Sequence, residues 1–167
     1  MTSKGSIQVS RDIPASASTI FAILRNPVMH QHIDGSGMIT ASLTKEIIKQ
    51  VGDKFTTAMN RVGDDYLMIN IVVNFELDRA IFWAPAPGDT SRSEGNKEEN
   101  IGKPAGYTWG YKLEKIDEKN TKVTEVFHYG PLSEKNFEDG GKWINTKNTV
   151  QESMEKTLEL LEGLVTK

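Results

Sequence analysis

The 167-residue chain contains no cysteine. That excludes disulfides, thiolate zinc sites and a thiol nucleophile, and it fits a reducing compartment without requiring one. No apolar run approaches the roughly 20 residues needed to cross a bilayer. The start, residues 1–5, is short and polar, with no signal-peptide core. Charge of one sign is also lacking: 20 Lys and Arg stand against 23 Asp and Glu, for a net −3 and a pI near 5.7. A global basic footprint for nucleic acid is therefore absent, and even the acidic cluster Glu94, Glu98, Glu99 is interrupted by Lys97. The chain has no Gly-x-Ser-x-Gly elbow, no P-loop and no dinucleotide fingerprint. Nothing in the order of Ser, His and Asp assembles a hydrolase triad. The expectation is one cytoplasmic domain over 1–167, a monomer or weak dimer, with no nucleic-acid partner, no membrane insertion, no metal and no cofactor. A chain of this size can bury a core and still enclose a cavity.

What is present is organised around the last stretch. Placed on a helix, Trp143, Val150, Met154, Leu158, Leu161 and Val165 share one stripe, and Glu152, Glu155, Lys156, Glu159 and Glu162 fall opposite. One face of this helix must be covered, and the segments upstream read as short strands that could cover it.

Ser6 to Ile13 alternates and is stopped by Pro14. Ser16 caps a short helix with Ile20, Phe21, Ile23 and Leu24, and Asn26-Pro27 opens a second. Strands follow over Met38 to Leu43 and around Phe55, Thr57 and Met59. In the clearest strand, Leu67, Ile69, Ile71, Val73, Phe75 and Leu77 alternate with polar residues, only Val72 breaking the pattern. Ala80 to Ala84, Tyr107 to Ile116 and Lys122 to Tyr129 complete the set. Pro85 to Ala105 reads as one long irregular stretch, either a plain excursion or a lid over a pocket mouth. Strand, two helices, six strands and a long helix suggest an antiparallel α+β domain. The sheet must curve, because one helix has to cover about seven strands.

Several patterns in this order resemble the START-related helix-grip superfamily, in its polyketide cyclase/dehydrase-like branch. They are Ile13-Pro14-Ala15 before the first helix and Asp34-Gly35-Ser36-Gly37. Val72 to Leu77 then runs into Arg79-Ala80-Ile81-Phe82-Trp83, and Trp109 to Glu114 is followed by Asn120 to Thr124. The resemblance covers essentially Gly5 to Val165. It implies a helix-grip fold: a seven-stranded curved antiparallel sheet wrapped around a long C-terminal helix, with two short helices between strands 1 and 2. It also implies an internal cavity for hydrophobic ligands. Members include lipid and steroid binders, aromatic polyketide cyclases, hormone receptors and proteins that sequester natural products, so the fold does not select a function. No invariant catalytic motif serves the whole family, and no catalytic residue carries over.

If the apolar strand faces turn toward the helix, Phe55, Met59, Ile71, Val73, Phe75, Trp83, Trp109, Tyr111, Phe127 and Tyr129 surround one interior. Trp143, Val150 and Met154 face them from the helix. Such residues form either plain core or the wall of an apolar pocket. Two polar groups interrupt the apolar faces: Glu125, between Val123 and Phe127, and Lys147, between Trp143 and Val150. They are either a compensated internal pair or, with Tyr111 and Tyr129, the polar side of a cavity. In the catalytic version Glu125 is a general base or ligand anchor and a tyrosine polarises a carbonyl. His30, His32 and Asp34 would share a face on a strand as metal ligands do, but their stretch reads as helix running into a turn. A histidine near the pocket rim is the simpler expectation. The reading is a binder of a hydrophobic, aromatic or polyketide-like ligand, with a cyclase or dehydratase as the alternative.

Overall fold

The computed structural model describes residues 2–3, 5–91, 97–130 and 147–167, the side chains of 2–3 and 147–149 excepted. Its strands are β1 (Thr2–Ser3), β2 (Ser6–Ile13), β3 (Ile39–Ser42), β4 (Lys54–Arg61), β5 (Asp64–Glu76), β6 (Ala80–Pro87), β7 (Thr108–Asp117) and β8 (Asn120–His128). All pair antiparallel in one sheet, in the order β1-β2-β8-β7-β6-β5-β4-β3. β1 is a two-residue addition to the seven strands expected.

The consecutive strands β2 and β3 lie at opposite sides of this order, with only the two-residue β1 beyond β2. The chain between them must therefore cross the open end of the curled sheet. It does so with α1 (Ala17–Leu24), a 3-10 turn (Pro27–Met29) and α2 (His30–Ile33). Ser16 Oγ accepts from Thr19 N at the start of α1, and Asn26 Oδ1 accepts from Val28 N at the 3-10 turn, as the capping residues predict.

Helix α3 (Lys147–Val165) lies against β2, α2 and α1. Its buried Val150, Met154, Leu158 and Leu161 join Ile7, Val9, Val123 and Phe127 of the sheet in one core. Ile20, Phe21, Leu24 and Ile33 close that core from the short helices. Each such side chain contributes about 1.5–3 kcal/mol on burial. A helix-grip α+β fold is thus what the chain forms. Among the described residues no helix is long and apolar enough to cross a membrane.

Two details differ from the sequence reading, and a third lies beyond what the structure describes. β6 extends to Pro87, so the long connection starts later, and its described part is pinned to β5 as well as to β6: Gly88 N donates to Leu67 O and Ser91 Oγ to Asp65 O. Ala105 N donates to Pro85 O and Gly102 N to Pro87 O. Trp143, and with it the start of the apolar helix stripe, lies outside the described residues.

The other difference is the face of β5. Its pairing with β6 slips between Val72 and Asn74, a β-bulge that places one extra residue on β5. Before the bulge Tyr66, Asn70 and Val72 point inward, and after it Phe75 does. Val72 is 1% exposed and Val73 46%. Ile71 pairs with Ala84 on the outer face, so Ile71 and Val73 are not pocket residues, and Leu77 is exposed as well.

Candidate functional site

The inner face of the sheet can be read row by row from the pairing. Glu125 stands opposite Tyr111, and Tyr111 opposite Ile81. One row on, Phe127 pairs with Trp109, Trp109 with Trp83 and Trp83 with Val72. Trp109 stacks on Phe127 with ring centroids 3.9 Å apart. Trp83 is in contact with three rings: Tyr111 at 6.0 Å, Phe55 at 5.4 Å and His30 at 5.3 Å. Trp83, Trp109 and Met59 stay half-buried although they lie on the inward face. Phe75 packs against Phe21 of α1 and lies under the Arg25 guanidinium. Tyr129, fully buried, packs on Phe127, and Val150 and Met154 meet this surface from α3.

Glu125 is the expected polar exception, and it does point inward. It is 5% exposed. Tyr111 Oη donates to its Oε1 across 3.5 Å, at the outer limit of a hydrogen bond. Its Oε2 has no partner among the described residues. Burial, reinforced by the Asp34 charge, pushes the Glu125 carboxyl well above the usual 4.5, against a smaller opposing effect of the Tyr111 hydrogen bond. Burial, together with Glu125, likewise raises the Tyr111 phenol well above 10.0. Burial therefore favours the protonated form of Glu125 over a wider pH range than a free carboxyl has. In its protonated form such a carboxyl hydrogen-bonds to an oxygen acceptor or acts as an acid, and in its ionised form it is the general base expected from the sequence. The Lys147 side chain, its expected counter-ion, lies outside the described residues.

Asp34 follows α2 and is held by a turn. Its Oδ1 accepts from Ser36 N and Oγ, and its Oδ2 from Ile39 N at 2.8 Å. The next residue, Gly35, donates from its amide to Thr157 Oγ1 of α3 at 2.9 Å. A side chain at Gly35 would overlap the Ser153 carbonyl and the Thr157 amide.

Three further groups point inward, and of these the sequence suggested only a histidine, at the pocket rim. His30 is buried, stacked on Trp83 and edge-on to Phe55, and its Nε2 donates to Leu24 O at 2.8 Å. Burial lowers its pKa, more than the Leu24 bond and the Asp34 charge raise it. His30 is part of the interior wall, while His32 is exposed, and no group of metal ligands occurs among the described residues. Asn70 and Thr57 are the other two. Asn70 Nδ2 donates to Thr57 Oγ1 at 2.8 Å and to Phe55 O at 3.3 Å, and both side chains are buried. The signal for Thr57 was its alternation with Phe55 and Met59. For Asn70 the one signal was the break at Val72, beside the bulge that reverses the face. On the outer face, His128 stacks on Phe82 as an outside residue, the position the alternation assigns it.

No protein-family model matches the chain. Two curated relatives, the uncharacterised proteins Rv0088 and MT0096 from two strains of Mycobacterium tuberculosis, are each 26% identical over 125 residues, 75% of this chain. Those residues are 48% of each relative, so the chain spans about half their length. Solved structures share the fold over nearly the whole chain. Protein CV1439 from Chromobacterium violaceum matches with a TM-score of 0.69 at 11% identity, covering 99% of both chains. Protein Ms6760 from Mycobacterium smegmatis matches with 0.67 at 14%, covering 97% of this chain and 91% of that one. A protein from Arthrobacter aurescens matches with 0.69 at 15%, covering 97% and 86%. At these identities the likeness is one of fold.

Proposed function

We propose that this chain binds or sequesters a small hydrophobic ligand between the sheet and α3, a flat aromatic or polyketide-like molecule carrying an oxygen acceptor. The observation that carries the reading is Glu125: a buried carboxyl with one oxygen unpartnered among the described residues, beside Tyr111 and within an aromatic wall. Leaving such a group unsatisfied costs about 1–3 kcal/mol, and a ligand carbonyl would take its proton. The half-buried indoles of Trp83 and Trp109 suit a planar guest. The test is titration with 1-aminoanthracene, following its emission and the quenching of tryptophan, alongside native mass spectrometry of the freshly purified protein. Saturable one-to-one binding or a retained small-molecule mass is expected. A linear, unsaturable response with no added mass would overturn the reading.

A second reading, a cyclase or dehydratase in the same interior, is favoured by the same acid. Glu125 could protonate a departing hydroxyl while the Tyr111 phenol polarises a carbonyl. In that case Glu125→Gln abolishes product release from a polyketide-like ketone while leaving its binding measurable.

A further inference from the structure

The end of the sheet that α1 and the 3-10 turn cross carries a set of exposed aliphatic side chains. Leu43, Ile47 and Val51 stand on the β3–β4 loop, Leu77 in the β5–β6 turn and Ile116 near the end of β7. The antiparallel pairing puts all three places at one end of the sheet. Each of the five side chains is between 43% and 60% exposed. One such residue needs no explanation. Five on separate tips at one end make an apolar rim that marks a contact surface.

The β3–β4 loop is built to hold its share outward. Ile48 is buried in the core, and the Arg25 backbone and side chain clamp it. Ile48 N donates to Arg25 O at 2.8 Å, and Arg25 Nε donates to Ile48 O at 3.0 Å. Asp53 Oδ2 accepts from Lys49 N and Gln50 N, and Thr44 Oγ1 accepts from Thr56 N. With Ile48 turned in, Ile47 and Val51 are held toward water. Lys45, Lys49 and Lys54 are exposed in the same segment, and none has an acidic partner among the described residues. Of the two acids in 43–54, Asp53 is spent on backbone amides, which leaves Glu46 against three ammonium groups. On a chain of net −3 this segment is locally basic.

We propose that this end of the sheet docks on an anionic phospholipid surface, with the aliphatic tips at the boundary between headgroups and acyl chains and the three lysines among the phosphates. Two features favour lipid over a folded partner. The tips sit on separate connections rather than in one groove, which suits a flat, yielding surface. Lysine stems also lie along apolar surface while their ammonium groups reach the headgroups. The surface is docked on and not crossed, a contact that the sequence reading left out. The proposal does not depend on a ligand in the interior.

The test sediments the intact chain with vesicles of phosphatidylcholine alone and with vesicles containing roughly 30% phosphatidylserine. The wild type should bind the anionic vesicles at about 0.1 M salt and be released at about 1 M. Replacing Lys45, Lys49 and Lys54 together by Gln should weaken that binding roughly a hundredfold, to the level of the wild type on phosphatidylcholine. Ile47→Ser with Val51→Ser should weaken it about thirtyfold. Val62→Thr, in the β4–β5 turn at the opposite end, should change nothing. The lysine variant carries the test if the aliphatic one does not fold. Failure of the wild type to bind anionic vesicles, or binding that survives the lysine replacements, overturns the proposal. So does a dimer in sedimentation equilibrium that Ile47→Ser with Val51→Ser dissolves, because a second copy then covers this end.

Discussion

The Tyr111 hydroxyl faces Glu125 directly across the β7–β8 ladder, 3.5 Å from Oε1. The contact is long, and the carboxyl it serves is buried beside the Asp34 charge. The pair is held in place by sheet register rather than by the strength of the bond. The site can therefore keep an acid that folding alone would discard.

That acid should be visible in the pH dependence of stability. The folded-state pKa of Glu125 is raised, so the native protein holds a proton that the unfolded chain releases above about 4.5. Its contribution is fully present below 4.5 and is lost as the pH rises toward the folded value. Each unit in that window costs at most about 1.4 kcal/mol. Glu125→Gln has no proton to lose. Urea denaturation from pH 4 to 8 should show the variant gaining on the wild type as the pH rises, with the curves converging at the acid end. Parallel curves would mean that Glu125 is ionised in the native state.

His30 should act in the opposite direction. Burial keeps it neutral, below its ordinary 6.5. Stability is present above 6.5 and falls as the pH drops through that value toward the lower folded one, because the unfolded chain takes up the proton first. His30→Phe keeps a ring against Trp83 and loses the bond to Leu24 O, at a cost of about 1 kcal/mol at pH 8. The same variant should lose less than the wild type on acidification from pH 7 to 5. An equal loss would show that the slope arises elsewhere.

These two groups illustrate how far the sequence could be read. Glu125 was legible because it interrupts a regular alternation, Val123, Glu125, Phe127, that the structure keeps. The long helix was legible because its stripe survives from Val150 to Leu161. His30 was not, because its burial depends on α2 folding back over Trp83, and no local period encodes that approach. Asn70 was hidden by the bulge: the alternation along β5 put it on the polar side, and its one break, at Val72, fell where the register slips without showing which half of the strand changes face.

The bulge itself can be tested by two neighbouring substitutions. Alternation alone makes Val73 a core residue and Val72 a surface one; the structure reverses them. Val72→Ala should cost about 2 kcal/mol as a truncation in a packed interior. Val73→Thr, on the exposed face, should stay within about 0.5 kcal/mol. Chemical denaturation of both variants decides it, and a larger loss at Val73 would rule out the slipped register.

The Asp34 turn bears on Glu125 by its charge and grips α3 through Gly35. Gly35 lies so close that an added methyl would overlap the Ser153 carbonyl and the Thr157 amide. Gly35→Ala must therefore displace the turn or the helix, at about 1–3 kcal/mol. Thr157→Val removes the acceptor for the Gly35 amide and should cost about 1 kcal/mol. Because one contact carries both effects, the double variant should lose less than the two singles together. Once the turn has moved off the helix, the missing hydroxyl no longer matters. Strict additivity in denaturation would show that turn and helix are held independently, and that the charge of Asp34 is set toward Glu125 by β3 alone.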